Sequence, residues 1–178
     1  MLGAATTIIP PEGELIAAEA AKSFLRIDGS ELDSEIALTL AAAIEDLEAL
    51  TGTRLLNQTI EFTADSFAEL ARLRVGPVRE IVSITYRDNA GVGQALAAER
   101  YELFGAKLEQ GIRPAGTSAW PATKAGEGMI IVRLEVGYGA AGDVPAKLRF
   151  AALALLRGKY EDREVDVEPL IANDRIWL

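Results

Sequence analysis

The chain has 178 residues, 49% apolar and 25% charged, a balance that suits one folded domain with a substantial core and argues against two full domains or a disordered chain. Its 18 Lys and Arg against 27 Asp and Glu leave a formal net charge of −9, and no segment concentrates enough base to track phosphates, so tight nucleic-acid binding is disfavoured. With no Cys and no His, the chain lacks the means for disulfides, the usual structural zinc sites, thiol nucleophiles and Ser-His or Cys-His catalysis.

No apolar run approaches the roughly 20 residues needed to cross a bilayer. Pro10, Pro11 and nearby acids stand where a signal peptide needs a basic flank and an apolar stretch. The expectation is a soluble protein of the cytoplasm with no membrane partner.

In chain order, residues 1–13 end in PPEG and read as an irregular N-terminal arm. From Glu14 to Ile27 the apolar positions Ile16, Ala20, Phe24 and Ile27 recur at helical spacing. After the break DGS, Ser30 offers an N-cap with Asp33 three residues on, and Leu32, Ile36, Leu40, Ala43, Leu47 and Leu50 form one stripe that stops at Gly52. The pattern then changes: TIEF (59–62), EIVSITYRD (80–88), YELF (101–104) and MIIVRLEV (129–136) are rich in β-branched and aromatic residues and read as strands of a small, mostly antiparallel sheet. Between the last two strands, GIRPAGTSAWPATKAGEG reads as a Gly- and Pro-rich loop holding Trp120. From Val144 the helical period returns with Leu148, Ala152, Leu155 and Leu156, Asp143 placed as N-cap and Pro145 in the first turn, and it runs out near Arg163. An acidic connector and a short apolar tail follow.

The candidate sites are few. GYGAAG (137–142) fits the glycine spacing of a dinucleotide loop, but Asp143 puts a carboxylate where the phosphate belongs, Pro145 removes a donor, and no further strand follows. A flexible strand-to-helix turn is the better reading, with a small nucleotide- or ligand-binding domain as the alternative. Asp162, Glu164, Asp166 and Glu168 alternate like a crude cation site but lack the glycine turn and closing glutamate of a calcium loop, so a solvated connector is expected. The basic residues Lys147, Arg149, Arg157, Lys159 and Arg163 read as the wet face of the last long helix. Trp120 reads as a cap on the local core. No catalytic residue, cofactor site or metal site is predicted.

The chain end is unusual. Leu170, Ile171, Ile176, Trp177 and Leu178 crowd into the last residues with Arg175, and leaving them in water is unfavourable at about 25 cal/mol per Å² of apolar surface. Either the tail folds back on its own domain, or it docks on another chain with Trp and Arg as anchors.

Five motifs in order, EAAKSFLRID, ALTGTRLLNQT, WPAT, VGYGAAGDVPAKLRFAALALLRGKYEDRE and LIANDRIW, resemble the head-tail connector (adaptor) proteins of tailed phages and prophages, including the relatives found in gene transfer agents. The similarity runs from Ile16 to Trp177. It implies an α+β fold with a mainly helical connector core, made of N-terminal helices and a long C-terminal helix, and a small antiparallel β insertion in the middle.

The expected layout is one connector domain over 1–178: the arm 1–13, a helical part 14–52, a β-rich insertion 57–138, the long helix 143–164 and the tail 165–178. By position, Lys22, Leu25, Arg26 and Asp28 match the first-helix motif, and Thr51 and Gly52 the stop of the second helix. Trp120, Pro121 and Thr123 match the loop, Gly137, Tyr138, Gly139, Asp143 and Pro145 the strand-to-helix turn, and Tyr160, Glu161, Arg163 and Glu164 the end of the last long helix. Ala17, Ala18 and Lys159 depart from the pattern, and the first two move the expected helix start toward Glu12.

The resemblance further implies a structural virion protein at the head-tail interface, assembled in the host cytoplasm, with no enzyme activity. Its copies form a ring, usually a dodecamer, between the portal protein and stopper or other tail-side proteins. The genome passes through without sequence-specific contact, and an acidic wall that repels phosphates suits such a channel. The tail residues Leu170, Ile171, Arg175, Ile176, Trp177 and Leu178 are the expected portal contact. A tail-completion or stopper protein of the same particle is the alternative position.

Overall fold

A computed structural model describes residues 2–177; Leu178 lies outside the described residues. The described chain forms seven strands and four α-helices: β1 (Thr6–Ile9), α1 (Ala18–Leu25), α2 (Asp33–Thr51), β2 (Gln58–Ala64), β3 (Val78–Arg87), β4 (Gly93–Ala95), β5 (Tyr101–Ala106), β6 (Glu109–Pro114), β7 (Ile130–Val136), α3 (Ala146–Tyr160) and α4 (Glu168–Ile171).

The sheet is built around β7. Its sequence IIVRLEV alternates strictly, so Ile130, Val132, Leu134 and Val136 are buried while Arg133 and Glu135 point the other way. β2 and β3 flank it antiparallel, β1 and β4 form the edges, and the order is β1-β2-β7-β3-β4. On the outer face Arg133 reaches Glu61 at 2.8 Å across the β2–β7 register, a ladder of opposite charges. The inner face packs on the β5–β6 hairpin and a 3-10 turn at Phe67–Ala71 through Leu70, Leu73, Tyr101 and Ile112.

The helices form a second core beside the sheet. Ile36, Leu40, Ala43 and Leu47 of α2 meet Leu148, Ala151, Ala152 and Leu156 of α3, with Leu15, Ile16, Leu55 and Ile171 closing the cluster. α2 ends at Gly52, whose φ of 68° is a left-handed conformation that glycine adopts without strain. The helix end is joined to the sheet by Thr51 and Thr53, whose buried hydroxyls lie 2.7 Å apart, and by the Arg54 N–H donating to the Gly76 carbonyl at 2.8 Å.

Seven expectations are corrected. The fold is not mainly helical: the described residues are 31% helical and 26% strand, and a five-stranded sheet with a separate hairpin forms a core of its own. The arm contains β1, and GIRP, read as loop, belongs to β6. The first helix starts at Ala18, not Glu14 or Glu12; Leu15 and Ile16 are buried ahead of it. Ser30 does not cap α2, whose N-cap is Leu32 with no side-chain bond. Asp143 does not cap α3, which begins after Pro145 and ends at Tyr160.

Candidate functional site

Of the features singled out by sequence, three come first: the glycine turn, the Trp120 loop and the tail. The structure brings the first and third together and leaves the second apart.

The turn leaves β7 at Gly137, and several of its backbone groups bond to segments remote in the chain. The N–H of Gly137 donates to Pro77 at 2.9 Å and that of Tyr138 to Leu55 at 3.2 Å, while the Gly139 carbonyl accepts from Asn57 at 3.0 Å. Asp143 turns its carboxylate inward to accept the Ala140 N–H at 3.0 Å. Gly137 and Tyr138 thus spend their donors on segments outside the turn, and the Asp143 carboxylate takes the Ala140 N–H where a phosphate would have to bind. Gly137 is also sterically required, because at φ 120° a Cβ there would lie 2.3 Å from the Leu56 carbonyl oxygen. Gly142 has open space around it.

Tyr138 links the turn to the tail. Its carbonyl accepts from Arg79 at 3.2 Å, and its hydroxyl is buried without a hydrogen-bond partner. Burial, with the nearby Asp174 carboxylate, pushes the phenol up to about 12. Asp174 itself is held by Lys147 of α3 in an ion pair.

The tail divides into anchored and free residues. Ile171 is fully buried in the helical core, and Ile176 is 8% exposed, with its N–H donating to the Thr51 carbonyl at 2.7 Å and its side chain against Gly52. Leu170 is half-buried against the helical core. Arg175 pairs with Glu168 at 2.9 Å and lies 4.3 Å over the Trp177 ring. Trp177 remains 59% exposed, held by its carbonyl, which accepts from Arg72. Ile171 and Ile176 thus fold back on the domain, while Trp177 of the same short segment is exposed.

Trp120 stacks on Phe67, centroids 4.5 Å apart and planes 6° off parallel, and packs against the sheet core, as its core reading expects. Pro121 sits beside it, half-buried in irregular chain. Lys22 ties α1 to α2 by donating to Asp33 at 2.8 Å, which holds its ammonium above the usual lysine range, and Arg26 ends α1 in a left-handed conformation with φ 60°. Of the basic residues expected on the wet face of α3, Lys159 pairs with Asp46 of α2 at 2.6 Å, so this side chain is part of the helix contact. In the acidic connector, Asp166 accepts the Glu168 N–H at 2.9 Å, and among the described residues no group of three potential ligands could hold a metal ion. No helix of the described residues is long and apolar enough to cross a membrane.

Sequence reasoning missed two surfaces of the helical layer. A groove of about 690 Å³ runs between α2 and the β1 arm. On the far side of α3, Phe150 is 51% exposed and meets Phe24 edge to face at 6.2 Å. The signal for the second was Phe150 itself, an aromatic outside the buried stripe of α3.

The chain matches no family model and no curated protein. Its fold is shared with solved structures. A chain in the neck of an empty GTA particle computed with C6 symmetry superposes with TM-score 0.81 at 19% identity, covering 98% of this chain and 96% of that one. A chain in the virion of a native gene transfer agent (GTA) particle gives 0.81 at 22% identity over the same coverage. A chain in the neck of a native GTA particle computed with C12 symmetry gives 0.70 at 21% identity, covering 96% of each. The likeness extends over nearly the whole chain, sheet and helices together.

Proposed function

We propose that this chain is a structural virion protein of the head-tail neck, an adaptor whose copies form a ring between portal and tail. The observation that carries the reading is the match over 98% of the chain, at TM-score 0.81, to a protein of a particle neck. Necks of such particles computed with C6 and C12 symmetry fit a ring of identical copies. The resemblance of the five motifs points to the same place independently of the fold. A net charge of −9 suits a wall past which a genome slides without sticking. The role is architectural rather than catalytic: the glycine turn is a joint between β7 and α3 tied to neighbouring segments through Gly137 and Tyr138, and the Asp143 carboxylate at the Ala140 N–H disfavours a bound phosphate.

In this reading the portal anchor is the exposed end of the tail, Trp177 with Arg175 beneath it, carried on a base fixed by Ile171 and Ile176. The test is co-sedimentation with the portal ring encoded in the same genome, comparing the full chain with Trp177→Ala. Loss of binding by about tenfold or more is expected, the scale on which a buried aromatic anchor acts. Full binding by Trp177→Ala would move the anchor elsewhere. Binding to a tail-side ring in place of the portal would put the chain in the stopper position instead.

A further inference from the structure

The helical layer carries a groove on one flank and a ridge on the other, and the two are complementary. The groove of about 690 Å³ is walled by Ala37, Ala41 and Ile44 of α2 and floored by Leu56. The arm forms its other wall through Thr7 and Pro11. Its charged lining is acidic, with Glu14, Glu45 and Glu48 against a single cation, Arg54.

The ridge is the outward face of α3. Phe150, Leu153 and Arg157 fall at helical i, i+3, i+7 spacing, and Phe24 of α1 widens it, with Arg157 lying 4.0 Å over the Phe24 ring. Arg157, which also donates to the Phe24 carbonyl and neighbours Glu161, puts a cation on the ridge, and Glu14 and Glu45 put carboxylates on the groove, a pairing of opposite signs that favours docking. The two surfaces cannot meet within one copy. α3 touches α2 through Lys159 and Asp46, and Asp46 lies roughly 140° around α2 from Ala41 at 100° per residue. Phe150 in turn lies away from the Leu148, Ala152 and Leu156 row that packs on α2.

We propose that the Phe24–Phe150 ridge of one copy seats in the α2 groove of a second copy. Because the two patches differ, the contact is head-to-tail, the kind that closes into a ring when the rotation allows. The proposal rests on the ring reading above and names the surfaces that build the ring.

The chain has no cysteine of its own, so engineered pairs report the contact without background. The chain assembled on its portal ring is oxidised as a mixture of Ala41→Cys and Phe150→Cys molecules, both positions being exposed. As a control, Phe150→Cys is mixed with Val92→Cys, which sits on the exposed turn between β3 and β4. The expected result is a 41–150 crosslink at least tenfold above the 92–150 control, and a ladder of multimers from the chain carrying both substitutions. Crosslinks of 41 to 41 or 150 to 150 in the single variants would overturn the proposal in favour of a two-fold contact. Rings on the portal without the 41–150 bond would overturn it while leaving the ring reading intact, and failure of the unsubstituted chain to assemble on the portal would end both.

Discussion

Gly137 shows how a single atom sets the fold at the joint between sheet and helix. A methyl at this position would have to displace the backbone of Leu56 and Asn57, 2.3 and 2.8 Å away, and would hold an L-residue at φ 120°. Gly137→Ala is therefore expected to cost about 2–4 kcal/mol in urea denaturation, from strain and overpacking together. Gly142→Ala, with nothing near its Cβ, should stay within about 0.5 kcal/mol of the parent. A dinucleotide loop would need the glycines for a ligand, whereas here Gly137 is needed against the Leu56–Asn57 backbone and Gly139, at φ 127°, against the Asp143 carboxylate. The glycine spacing was legible in the sequence, but which glycine matters was not, since it depends on the approach of a segment remote in the chain.

Glu48 offers a second test at this scale. Its carboxylate accepts the Leu55 N–H at 2.8 Å and neighbours Arg54, yet burial dominates and raises its pKa above the ordinary 4.5. A carboxyl with a raised folded pKa stabilises while protonated, so its contribution is present below about pH 4.5 and lost as pH rises through the folded value. Glu48→Gln keeps the acceptor and removes the charge. The variant should match the parent at acidic pH and become the more stable of the two toward neutrality; thermal melts across that range that stay parallel would refute this.

At the scale of elements, the tail behaves as an anchored base with a free tip. Ile176→Ala removes a side chain 8% exposed against Gly52 and should cost about 2 kcal/mol, the lower end for a buried isoleucine. Trp177→Ala, on a side chain 59% exposed, should leave the melting transition within about 0.5 kcal/mol of the parent. A large loss of stability in Trp177→Ala would mean that the ring belongs to the fold and is not held out for a partner.

The long, periodic elements were readable: the stripe of α2 and the alternation of β7 each follow from a buried face that repeats at one period. β6 was not, because its EQGIRP holds the residues of a loop. Gly111 stands there since a Cβ would strike the Ala71 carbonyl at 2.1 Å, and Gln110 uses its side chain to bond both Val78 backbone groups, at 2.7 and 2.9 Å. Edge strand β1 buries none of its side chains, so it leaves no alternating pattern to detect. The caps failed for a related reason: α2 and α3 start on Leu32 and Pro145 without side-chain bonds, and packing rather than capping sets their ends.

For the whole molecule, the weight given to helices in the connector resemblance concealed a sheet with its own core, and the observed fold is a two-part body joined at Thr51–Leu56 and Gly137. The candidate tail was legible as an apolar anomaly, but its division into Ile171, Ile176 and the free Trp177 required the fold. Assembly is the property that unites the exposed features. Groove, ridge and tail tip are all surfaces that the chain leaves uncovered, and the proposed assembly would cover each of them.

The most direct measurement is electron microscopy of the chain mixed with the portal ring from the same genome. The account predicts a second ring of this protein stacked on the portal, with the helical layers of adjacent copies in contact. A folded, monodisperse chain that leaves the portal bare at every concentration tried would contradict it.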